Sequence, residues 1–158
     1  MGGRAARMGH ALTLRVGDWG CVADFEGGTP VAVEVQMHLD TLEVLHGVGG
    51  LKPLSDKDKQ LIVTNAGKSL GRGALTRFTS STITPGWVLE GELDLHGVRR
   101  KQRVEVRATD LGEQVRVTAT TQVRQTDHGI TPFSQMMGAL LVEDLVRVQL
   151  NAVLPRPT

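Results

Sequence analysis

What this chain has little of narrows its function before any pattern is read. One cysteine, Cys21, stands among 158 residues, which excludes an intrachain disulfide and any zinc cluster built on cysteines. Tyrosine is missing, and the aromatic complement is two Trp and three Phe. Base-stacking platforms need several exposed rings, so single-stranded nucleic-acid binding is not expected. Neither sign of charge dominates. Eighteen Lys and Arg against seventeen Asp and Glu leave a net charge of +1, unlike a polybasic nucleic-acid binder or an acidic tail. No run of about 18 apolar residues occurs, so no integral membrane helix is expected. The basic start, Met1-Gly2-Gly3-Arg4-Ala5-Ala6-Arg7-Met8, lacks the apolar segment of a secretory signal. Residues 1–8 are read as a leader with Met8 as a second candidate start, residues 155–158 as a tail, and the protein as cytoplasmic.

What is present is an ordinary globular composition, 40% hydrophobic and 22% charged, at the size of one domain with a core of its own. Period-two alternation runs through most of the chain, the sign of half-buried strands. Leu12, Leu14 and Val16 form a first stripe, and Trp19, Cys21, Ala23 and Phe25 a second. Val31, Val33, Val35, Met37 and Leu39 form the cleanest. Leu75 to Thr84 is richer in Thr and Ser. Further stripes are Trp87, Leu89, Leu93 and Leu95; Val104, Val106 and Ala108; Val115 to Val123; and Val146 to Ala152. That predicts about eight strands. Gly17-Asp18, Glu26 to Pro30, Pro85-Gly86 and Asp110-Leu111-Gly112 read as hairpin turns, so successive strands are antiparallel. Eight one-faced strands close into a barrel with the apolar face inward, although the alternation also suits a two-layer sandwich.

One segment changes period. Ser55-Asp56-Lys57-Asp58 opens like a capping box, Leu61, Ile62, Ala66 and Leu70 follow at helical spacing, and Gly71 is a stop. The helix falls between the third and fourth expected strands. A second helical turn is expected in Phe133 to Leu141.

Catalytic chemistry is hard to find. His10, His38, His46, His96 and His128 are scattered, with no two at metal-ligand spacing, so no metal site is expected. His38 and His96 fall on polar strand faces, and His46 and His128 in loops. Cys21 lies on an apolar stripe and reads as an inert buried thiol. Gly47-Val48-Gly49-Gly50 has no Lys-Ser/Thr partner for phosphate. Glu90, Glu92 and Asp94 share one strand face and read as solvated. With no base–nucleophile pair to nominate, neither an enzyme nor a bound cofactor is expected. The inward stripes carry almost no ionisable group. Such an interior is either filled core or a pocket for an apolar ligand, and an eight-stranded barrel has room for either.

Three stretches resemble the YceI-like family of lipocalin-like barrels. Leu89-Glu90-Gly91-Glu92-Leu93-Asp94-Leu95-His96-Gly97-Val98, leading on to Val104-Glu105-Val106, is similar to that family's strand, "G-x-L-T-I-x-G-V-T" turn and next strand. Gln125-Thr126-Asp127-His128-Gly129-Ile130 is similar to "R-x-D-F-G-I", with His128 where the family usually has Phe. Val142-Glu143-Asp144 resembles "V-x-D-x-V". Gly9-His10-Ala11-Leu12 and Leu42-Glu43-Val44 match more loosely, so the resemblance spans residues 9–154. The family's "R-D-x-H-L" run is replaced by Pro53 to Lys59 and the helix. The chain resembles a cytoplasmic, actinobacterial-type subgroup. The resemblance implies an all-β closed antiparallel barrel, no catalytic residues, and an apolar channel that in some members holds a polyisoprenoid chain, such as a quinone-like or polyprenyl lipid.

The expected function is therefore non-catalytic carriage or storage of an isoprenoid or fatty-acid-like amphiphile. Its lining would come from Leu14, then Trp19 and Phe25, then Val33, Val35 and Met37. Beyond them lie Phe78, then Trp87, Leu89 and Leu93, then Val106 and Val117. Phe133 and Met137 would join from the last connection, and Val148 and Leu150 from the final strand. A polar head would sit near His46, Thr126 or His128. Met136, Met137, Leu140 and Leu141 could cover the barrel or pair a homodimer. The alternative is a solid-core protein–protein interaction or stress-response module without a ligand.

Overall fold

A computed structural model describes residues 10–27, 29–49, 53–71, 75–84, 86–135 and 140–156. The expected leader over residues 1–8, and Met136 and Met137, lie outside the described residues. The protein is an antiparallel sheet of seven strands in the order β1-β2-β3-β4-β5-β6-β9, with a separate ribbon β7-β8. The strands are β1 (His10–Glu26), β2 (Thr29–Gly49), β3 (Leu75–Thr84), β4 (Val88–Leu95), β5 (Val98–Asp110), β6 (Gln114–Arg124), β7 (Ser134–Gln135), β8 (Leu140–Leu141) and β9 (Leu145–Pro155). One helix, α1 (Asp56–Leu70), follows β2, and a 3-10 turn, Gln125–His128, follows β6. The sheet curls as a half-barrel. Its edges are β1 and β9, with no ladder between them among the described residues.

The all-β antiparallel architecture with one helix is as the alternation predicts, with one strand fewer in the sheet. The first two expected strands are one, because Gly17-Asp18 is a bulge rather than a hairpin turn. Val16 pairs with Leu42 and Asp18 with His38, so β2 carries two extra residues there. Thr41 fills the gap. Its hydroxyl accepts from the Asp18 amide at 2.8 Å and donates to the His38 carbonyl at 2.6 Å. Side-chain bonds thus replace the ladder bonds that a bulge interrupts. Pairing of β2 with β3 ends at His38↔Leu75, so the far half of the β1–β2 hairpin runs on beyond β3 and meets α1 instead.

The helix begins as its sequence dictates. Ser55 Oγ accepts from the Asp58 amide and Asp58 Oδ2 accepts from the Ser55 amide, a complete capping box. Its apolar side is only lightly covered: no α1 residue is buried, and Leu61 remains 54% exposed. The second expected helical turn is instead the β7-β8 ribbon, with Ser134 opposite Leu141 and Gln135 opposite Leu140. Only ladder bonds between two short runs are needed there, and an apolar cluster at mixed spacing does not choose between helix and strand.

The hairpins at Glu26, after Thr84 and at Asp110 are as expected. A further one joins β4 to β5 through His96 (φ 57°) and Gly97 (φ 72°). Two left-handed residues in succession give the twist that a two-residue hairpin loop requires.

Candidate functional site

Residues directly opposite in an antiparallel ladder share a face, so the register traces the inner surface row by row. One row runs Cys21–Val35–Phe78–Leu93 and the next Ala23–Val33–Ser80–Gly91. A third runs Trp19–Met37–Thr76. On the other half, Leu89 faces Val104, Val106–Ala119–Leu150 form a row, and Val117 faces Ala152. The result is a trough with apolar walls. The opposite face of the same strands carries cross-strand ion pairs, Arg77 with Glu34 at 3.6 Å, Arg99 with Asp94 at 3.3 Å and Arg103 with Glu90 at 4.0 Å. These are solvated, as the spacing of Glu90, Glu92 and Asp94 predicts.

Burial is concentrated at one end of the trough. The core is Phe78, Leu89, Leu93, Leu95, Val104, Val123 and Ile130. Ile130, 1% exposed, follows the 3-10 turn and closes that end. The turn is held by a ring of hydrogen bonds. His128 Nδ1 donates to the Val98 carbonyl at 2.9 Å, and His96 Nδ1 to the His128 carbonyl at 3.2 Å. A carbonyl can only accept, which puts the proton on Nδ1 of both rings. Arg100 Nε donates to the Asp127 carbonyl at 3.0 Å. Thr126 gives its amide (2.8 Å) and hydroxyl (2.6 Å) to Asp144, and Gln125 Nε2 reaches the Glu143 carbonyl at 2.9 Å. The stretches around Leu89–Val98, Gln125–Ile130 and Val142–Asp144 thus converge on one clamp.

That clamp corrects two expectations. His128 is 1% exposed and bonded to backbone, a structural filler rather than a polar group at a mouth. Thr126 is committed to Asp144. His46 lies within β2 opposite Thr13, not in a loop. Cys21 is exposed rather than buried, because β1 is an edge strand with neighbours on one side only.

Of the expected lining, Phe78, Leu89 and Leu93 are buried, and Val33, Val35, Val106 and Val148 pack against them. Met37, Val117, Phe133 and Leu150 are half-buried. Trp19 and Phe25 stand open on β1 at 40% and 42% exposure. Trp87 is not on a strand: it sits half-buried in the turn before β4 with φ 59°. Leu14 pairs with Val44 beyond the bulge, on the half of the hairpin that has left β3. Met137 is outside the described residues. Alternation did not reveal Ile130, or Gln102 and Arg100, whose register opposite Gly91 and Leu93 places them on inner rows. The basic run Arg99 to Arg103 hides that phase.

Among the described residues no His, Cys, Asp and Glu side chains group as a metal set, and no helix is long and apolar enough to cross a membrane. Hydrogen bonds from Thr126, reinforced by Arg124 and the Gln125 amide, hold the Asp144 carboxyl below the usual carboxylate range. A carboxyl depressed in the folded state stabilises above its unfolded value, and that contribution disappears as pH falls through the folded one. Asp144→Asn should therefore be less stable than the parent at neutral pH and approach it as the pH falls below the range in which the folded carboxyl is ionised. Urea unfolding across pH checks this. A constant difference down to the lowest pH would remove Asp144 from the clamp.

A sequence profile for the YceI-like domain matches residues 70–154. No curated protein matches the sequence. Among solved structures, Burkholderia cenocepacia BcnA is similar over 89% of this chain and 86% of its own, with a TM-score of 0.67 at 12% identity. The Campylobacter jejuni YCEI protein is similar over 92% and 85%, with a TM-score of 0.61 at 11% identity. A mutant CJ YCEI protein with a monobromobimane guest gives 92%, 85% and 0.64 at 10% identity. At such identities the likeness is one of fold. The profile covers more than half of the chain, including the three stretches that meet at the clamp, and the chain belongs to the YceI-like family.

Proposed function

We propose that this protein binds, without catalysis, one long apolar or amphipathic molecule along the inner face of its sheet, as a carrier or store. The class we infer is an isoprenoid, quinone-like or fatty-acid-like chain. One observation carries the reading. The inner rows are mostly apolar, yet their outer members are only half covered: Trp19 and Phe25 on β1, and Val146 (39%) and Leu154 (45%) on β9. A contiguous apolar surface left open to water favours whatever covers it. Each methylene moved onto it contributes about 0.8 kcal/mol, so a chain of modest length binds without a polar anchor. Membership of the YceI-like family supports the same reading.

Native mass spectrometry of the purified protein with organic extraction is the first test, and a co-purified lipid is expected. Cys21 offers a second readout, since it shares a row with Val35 and Phe78. Partial desolvation pushes its thiol up from the usual value, so alkylation by monobromobimane should be slow at neutral pH and quicken as pH rises. Filling the trough should slow it several-fold at any fixed pH. No extracted lipid, no binding of fluorescent fatty-acid or polyprenyl probes at micromolar protein, and unchanged alkylation would together favour a solid-core interaction module.

A further inference from the structure

Among the described residues, Thr76, Ser80 and Thr121 carry hydroxyls on the inner rows, and their situations differ. Ser80 Oγ lies 2.7 Å from the Glu90 carbonyl and 3.0 Å from that of Thr82. Thr121 Oγ1 donates to the Arg103 carbonyl at 2.7 Å and accepts from Gln102. Both are satisfied by their own sheet. Thr76 is 3% exposed, and its Oγ1 has no hydrogen-bond partner. A buried hydroxyl without a partner is destabilising, and few native side chains are left so.

Its setting indicates what would satisfy it. Thr76 stands opposite Met37, itself opposite Trp19, on a row with no ionisable side chain. The charged neighbours on these strands face the other way: His38 approaches Asp18 at 3.9 Å, and Arg77 pairs with Glu34. Arg100, a cation on the neighbouring inner row, is exposed and directs its guanidinium to the Asp127 and Arg99 carbonyls. A carboxylate or phosphate brought here would be desolvated without a counter-charge, which is strongly unfavourable. A neutral oxygen meets no such penalty and can either accept from the hydroxyl or donate to it. Met37, the unbranched side chain opposite, can turn aside to admit it.

We propose that Thr76 is the polar anchor of the trough, and that its ligand carries an uncharged oxygen, a hydroxyl or a ketone, rather than an acid or phosphate head. This rests on the apolar-chain reading above and narrows it. The test is displacement of N-phenyl-1-naphthylamine by 1-dodecanol, 2-dodecanone, dodecane and dodecanoate from the parent, Thr76→Val and Thr76→Ser. Thr76→Val should weaken dodecanol and dodecanone about two- to tenfold, the worth of one net hydrogen bond. It should leave dodecane unchanged, and Thr76→Ser should retain the parent's preference. The melting temperature of ligand-free Thr76→Val should not fall, because an unpaired hydroxyl is being removed. Equal losses for all four ligands, no loss for the oxygenated pair, dodecanoate binding the parent more tightly than dodecanol, or a clear drop in melting temperature would each overturn the assignment. If the parent binds all four and Thr76→Val changes nothing, the anchor fails while the trough stands. If the parent binds none, the apolar-chain reading fails and takes the anchor with it.

Discussion

Gly91→Ala is expected to leave little folded protein. Gly91 sits on an inner row opposite Ser80, and a Cβ there would run into the Thr79 carbonyl and lie 3.0 Å from the Phe78 ring. The carbonyl cannot retreat cheaply, because the neighbouring bulge between Ser80 and Thr82 is pinned by the Ser80 hydroxyl. Phe78 is core, at 5% exposure. Overpacking a well-filled site costs about 1–3 kcal/mol when side chains alone must move. Here backbone must move as well, so a loss of about 3 kcal/mol or more is expected, a large share of a small domain's stability. Chemical denaturation beside Gly20→Ala checks it. A Cβ at Gly20 meets nothing within 4 Å, so that variant should be close to neutral. Equal stability of the two variants would refute the close approach of β3 and β4.

Ile130→Ala should produce the next largest effect, about 2–5 kcal/mol by the usual cost of truncating a buried aliphatic side chain. The upper half of that range is expected. A cavity costs most where its walls cannot collapse, and the walls here are held from several sides. The Ile130 amide donates to the Gln125 carbonyl at 3.1 Å, while His128, Thr126 and Arg100 fix the turn before it. Thermal and urea unfolding report the loss. A change below about 1 kcal/mol would mean that Ile130 covers the trough rather than closing it.

How much of this was legible in the sequence depended on how far each signal was local. The capping box at Ser55 and the stop at Gly71 need only neighbouring residues, and both are found in the fold. Alternation gave the inner stripes Val33–Val35–Met37 and Leu89–Leu93 because each strand's period is intact. It failed at Gly17-Asp18, where a bulge and a turn share the same residue types and the difference lies in Thr41, 23 residues away from Asp18. The period puts Trp87 on a strand, but its left-handed backbone belongs to a turn. In sequence Thr76 is one threonine among several in a Thr-rich strand. Its missing partner is a property of three neighbouring strands, which composition does not carry. The sequence puts His128 in a loop, and a loop it is, but one folded inward because Val98 and His96 lie within bonding distance of it.

The strand order has a consequence for how fast the native state is reached. Every ladder of the main sheet joins strands that follow one another along the chain, and four of the six are closed by short turns. Such ladders can zip from their turns with little loop to close. Two cannot. β2 must find β3 across the helix, with Val33 meeting Ser80, and β6 must find β9 across the clamp, with Gln114 meeting Pro155. Sequence separation of contacts sets folding speed among small domains, so these two encounters are the slow ones. The clamp shortens the second search by holding Gln125 and Thr126 against Asp144 beside the first rung, Arg124↔Leu145. Among the described residues the β2–β3 search has no such aid, and the rate at which the whole sheet assembles should follow the ease with which the chain between His38 and Leu75, α1 included, brings those two strands together.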